Sequence, residues 1–158
     1  MKNYFLLFML FILASCSDPC KDVLCGTYGA CDEGLCICET GTYGDNCEKF
    51  YRDDFIGDWG TTQQSCDVGN ALPQTYTFSA GDKIDEIKIT SSITPDLLLI
   101  AKVGTTSFVI EDQVIVFGIP VTLSGSGTLG AVNTATLILK QVVEGQDDRT
   151  CTYELFKN

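Results

Sequence analysis

Between Phe55 and Asn158, short apolar runs alternate with polar residues, and turn-forming residues break them every eight to twelve positions. Tyr76 and Phe78 alternate with Thr75, Thr77 and Ser79. Ile87 and Ile89 alternate with Glu86, Lys88 and Thr90. Ala135, Leu137 and Leu139 alternate with Thr134, Thr136 and Lys140. A period of two buries one face of a strand and leaves the other wet. Turns are marked by Ala80-Gly81-Asp82, Gly104-Thr105, Glu111-Asp112, Gly118-Ile119-Pro120 and Gly145-Gln146-Asp147-Asp148. The pattern predicts about eight strands, at 55–66, 74–80, 85–92, 97–103, 107–111, 113–117, 121–128 and 134–143, with 149–157 as a ninth if 113–128 is split. Leu97-Leu98-Leu99-Ile100 shows no clear period and reads as a fully buried strand or a turn of helix. Regular short strands of this kind predict an all-β barrel or sandwich.

Two other stretches break the pattern. Tyr4–Ala14 is one apolar run of eleven residues behind Lys2. A mature membrane-spanning helix needs about 20 such residues, so residues 1–15 are expected to be a signal peptide. Cys20–Cys47 carries six cysteines at Cys20, Cys25, Cys31, Cys36, Cys38 and Cys47, with few large apolar residues between them. So short a segment cannot bury enough surface to stay folded alone, and disulfides in an oxidising compartment would have to hold it. Six cysteines allow fifteen pairings, and spacing does not choose among them. A zinc site is the other use of clustered cysteines, but the chain has no histidine, and export disfavours free thiolates.

The stretch Cys36-Ile37-Cys38 followed by Gly44-Asp45-Asn46-Cys47 resembles the C-x-C-x5-G-x2-C signature of epidermal growth factor-like (EGF-like) modules. The resemblance implies the pairings Cys20–Cys31, Cys25–Cys36 and Cys38–Cys47. Gly29 and Gly44 suit the family because turns beside half-cystines often need positive φ. The family often has an aromatic directly after the glycine at position 41; here Thr42 stands there and Tyr43 follows.

Leu13-Ala14-Ser15-Cys16 resembles the lipobox of bacterial lipoproteins, in which the cysteine thiol takes a diacylglycerol and becomes the new N-terminus. The resemblance implies lipid attachment at Cys16. Cysteine parity agrees: of nine cysteines, six belong to the EGF-like segment and Cys66 and Cys151 remain as a distant pair, leaving Cys16 single. A Cys66–Cys151 bridge would close a long loop worth about 4–5 kcal/mol in chain entropy and make the first and last strands neighbours, as in a closed meander barrel. Ser17-Asp18 resembles the surface-export signals of Bacteroidetes lipoproteins. The layout as a whole is similar to surface lipoproteins of that group, which implies location more than function.

The expected organisation is a lipoprotein signal peptide at 1–15, a lipidated tether at 16–19, an EGF-like module at 20–47, a polar hinge at 48–54 and an antiparallel meander β-barrel at 55–158, with a β-sandwich as the alternative. Phe55-Ile56-Gly57-Asp58-Trp59 holds the only tryptophan in a Gly-x-Trp, which resembles the first-strand motif of lipocalins. In that family an Arg on the last strand packs over the Trp ring; the resemblance implies that Arg149 does so here. The plainer expectation is that Trp59 plugs one end of a barrel filled by its own side chains.

Charge narrows the partners. The net charge is −11, from 21 acidic and 10 basic residues, with no basic run. Nucleic acid and anionic headgroups are poor partners for such a chain. No calcium loop and no cofactor motif is visible, so no metal or cofactor is expected. Without histidine the commonest general base is missing, and every cysteine is assigned to lipid or bridge, so no enzyme is expected. Ser124-Gly125-Ser126-Gly127 reads as a strand bend or bulge. The expectation is an outer-membrane, lipid-anchored protein that binds an extracellular protein or glycan. One alternative is a lipocalin-like carrier of a small apolar ligand, and another is a structural envelope component. An open cavity of about 300 Å3 or more, lined by aromatics, separates the carrier from the rest.

Overall fold

The computed structural model describes residues 18–94, 96–116 and 118–158. The expected signal peptide at 1–15, Cys16 and Ser17 lie outside the described residues. In the small N-terminal module, β1 (Gly29–Asp32) and β2 (Leu35–Cys38) form a hairpin, and β3 (Thr42–Tyr43) pairs with β4 (Lys49–Phe50). Glu33 and Gly34 both take positive φ, 48° and 88°, the backbone twist that a two-residue hairpin turn favours. Three bridges tie the strands and loops: Cys20–Cys31, Cys25–Cys36 and Cys38–Cys47.

The two glycines singled out in this module serve different ends. Gly44 has φ +100°, a left-handed backbone. Gly29 has no such backbone; it is needed because a Cβ there would stand 2.6 Å from Cys47 Sγ. Tyr43 stacks on Tyr51 at 4.6 Å, while Thr42 is buried with its hydroxyl donating to Glu39 O.

Residues 57–157 form a closed antiparallel barrel, which excludes a sandwich. Its strands are β5 (Gly57–Cys66), β6 (Thr75–Ala80), β7 (Glu86–Ser91), β8 (Leu98–Val103), β9 (Ser107–Val116), β10 (Pro120–Leu129), β11 (Thr134–Val142) and β12 (Arg149–Lys157). Each strand pairs with its neighbour in sequence, and β12 closes on β5 with Cys151 opposite Cys66.

Two local expectations need correction. Glu111-Asp112 is not a turn. β9 runs through it, and Leu123 faces Gln113 while Gly125 faces Ile110, so two residues of β9 oppose Ser124 alone as a bulge. The apolar run at 97–100 is neither fully buried nor helical. Leu99 is buried and Leu98 and Ile100 are outward, a period of two hidden because both faces are apolar.

One end of the barrel is packed with aromatics. Trp59 is 1% exposed, and its Nε1 donates to Phe55 O at 2.7 Å. Phe108 meets Phe55 and Phe78 edge-on, each at 5.5 Å. Such pairs add about 0.5–1.5 kcal/mol each to the burial of their area. The small module sits at this end. Residues 51–54 form a 3-10 helix whose Arg52 Nη1 donates to Lys83 O at 2.6 Å in the β6–β7 turn, and Tyr51 N donates to Gly41 O at 3.1 Å. In the same turn Lys83 Nζ donates to the buried Glu86 at 2.7 Å, which holds that carboxyl below its ordinary range.

Candidate functional site

The opposite end of the barrel is open. A cavity of about 380 Å3 enters there between the β5–β6 and β7–β8 loops and the inner faces of β10, β11 and β12. Its wall follows from strand register. Arg149 pairs with Gln141, Cys151 with Leu139 and Tyr153 with Leu137. Directly opposed residues share a face, so these pairs form a ladder running inward from a polar rung through an apolar one to the core. Leu123, Val121 and Leu97 complete the apolar wall.

The floor is polar but satisfied. Ser91 Oγ donates to Gln74 Oε1, and Gln74 Nε2 donates to the Tyr76 hydroxyl at 2.6 Å. Tyr76 and Tyr153 meet edge-on at 5.4 Å. Burial first, and then the neighbouring Tyr153, push the Tyr76 hydroxyl far above the usual phenol range, so it stays neutral. The floor therefore offers neutral hydroxyls and an amide, and the wall offers aliphatic surface.

At the mouth, Arg149 Nη2 donates to Asn70 O at 2.6 Å and touches Cys66 Sγ at 3.4 Å. This corrects the expected role of Arg149. Antiparallel pairing puts the other end of β12 beside the tryptophan: Lys157 pairs with Trp59, and its Nζ lies 5.3 Å from the ring centroid. Lys157 Nζ also donates to Asp54 O at 3.1 Å. Gly57 belongs to that arrangement, since it has φ +141° and a Cβ there would meet Lys157 Cε at 2.8 Å. Gly57 and Trp59 thus stand at the closed end and Arg149 at the open one. The Cys66–Cys151 bridge joins β5 to β12, with Cys151 in the cavity wall. Gln74 and Gln141 were not singled out in the sequence; Tyr76 and Leu139 appeared there only as inward positions of alternating strands, with no part in a site.

No family model matches this chain. It is similar to complement component C6 of Bos taurus, 40% identical over 61 residues, a match that takes in 35% of this chain. The chain spans only 6% of the length of that protein.

Proposed function

We propose that this chain is an exported, lipid-anchored surface protein whose barrel carries a small, largely apolar ligand. The observation that supports this reading is the open cavity of about 380 Å3, walled by aliphatic side chains and floored by Tyr76 and Tyr153. That volume falls within the usual range for ligand sites, about 300–1,000 Å3. A barrel built only for display has no need to leave one mouth unfilled, since empty apolar space forfeits packing energy. The protein or glycan reading, favoured by the sequence, would use exposed loops and sheet faces and does not call on this cavity. We read the role as non-catalytic, with the small module as a disulfide-braced spacer between anchor and barrel. The similarity to a complement component fits such a binding role without specifying a ligand.

Native mass spectrometry of the protein purified from its own host should show a co-purified small molecule. Leu123→Trp, which fills the cavity, should abolish that mass and the binding of a neutral apolar dye. An empty wild-type protein that also ignores the dye would sink the carrier reading. For the anchor, Cys16→Ala should move the protein from the membrane to the soluble fraction; a variant that stays with membranes would refute lipidation at Cys16.

A further inference from the structure

Arg149 is the single charged side chain among the described residues lining the cavity, and it has no acidic partner. None of the ion pairs among the described residues includes it. Its Nε is buried and lacks a hydrogen-bond partner. Its contacts, Asn70 O and Cys66 Sγ, are both uncharged. In a chain of net charge −11, five of the nine basic side chains among the described residues pair with a carboxylate; of the four that do not, Arg149 is the one that lines this cavity. Taking a cation partly out of water costs free energy that an anion would offset. The register places Gln141 directly opposite, giving an amide donor beside the guanidinium at the rim. Below them the wall is apolar as far as Tyr76 and Tyr153, and no second cation among the described residues lines it.

We propose that the cavity selects a monoanionic amphiphile, a single carboxylate on a compact apolar body. The carboxylate pairs with Arg149 and Gln141 at the mouth, and the body points inward along Leu139, Leu123 and Leu97. This rests on the carrier reading above and adds the head-group chemistry and the orientation. A planar guanidinium matches a carboxylate in two-point geometry. One cation favours one negative charge over two.

The test compares decanoic acid with 1-decanol, probes of matched chain length, on the full disulfide-bonded protein at neutral pH. A charge-assisted hydrogen bond predicts that the acid binds about tenfold tighter or more. Arg149→Gln should erase that preference by weakening the acid about tenfold more than the alcohol, and Arg149→Lys should keep part of it. The wild-type ratio alone decides the matter should the variants fold poorly. Equal binding of acid and alcohol, or equal weakening of both by Arg149→Gln, would overturn head-group selection and leave the carrier reading standing. Binding of neither probe, with no uptake of a neutral dye, would remove the carrier reading and this inference together.

Discussion

A methyl group on Gly127 would stand 2.2 Å from Phe108 Cζ and 2.4 Å from its Cε1. The glycine is there for space, since its φ is not positive. Phe108 is the ring that links Phe55 to Phe78 at the closed end. Gly127→Ala should therefore force that cluster apart and cost about 1–3 kcal/mol, read as a lower urea midpoint. An unchanged midpoint would mean that the aromatic plug yields more easily than its geometry implies. Gly125 differs in kind. A Cβ there would meet the Ile138 carbonyl oxygen on β11, one residue past the point where β9 bulges against Ser124. Two glycines two positions apart in one strand thus answer to separate constraints, one a side chain and the other a neighbouring backbone.

Among the barrel strands, β8 and β9 make the weakest seam. They pair only at Lys102–Val109 and Val103–Phe108. Beyond that point the Gln113 side chain takes over: its Oε1 accepts from Ile100 N at 2.9 Å and its Nε2 donates to Ile100 O at 2.7 Å. The amide stands in for a missing peptide unit. Gln113→Ala should speed hydrogen exchange at Ile100 by about tenfold, with Ile89 in β7 unaffected; uniform protection in the variant would show that the seam does not depend on the amide. This substitution also marks where the sequence could be read and where it could not. Strands with one buried face were legible because alternation reports burial directly. β9 looked like two strands because Glu111-Asp112 has turn composition, and a bulge uses the same polar, exposed residues. Arg149 looked like the partner of Trp59 because both cations of β12 lie on strand ends; only register tells which end meets the tryptophan. The cavity left no trace in the pattern, because its volume depends on how inward side chains from several strands fill the same space.

For the molecule as a whole, the aromatic plug, the 3-10 helix and the small module all gather at one end, and the cavity opens at the other. A tether at the N-terminal side would then leave the mouth facing away from the membrane. The bridge between Cys66 and Cys151 spans 85 positions and joins the first barrel strand to the last. Replacing both by alanine in the full chain should lower stability by about 2–4 kcal/mol, seen as a lower Tm with the other three bridges intact. A Tm equal to that of the parent would place the closure in hydrogen bonding alone. The same linkage has a topological outcome. With those sulfurs joined, everything from position 66 to 151 is a covalent ring, so a protease that nicks one exposed loop within it creates new ends but releases no fragment. The cut barrel would be two chains held by one disulfide, with first and last strands still joined.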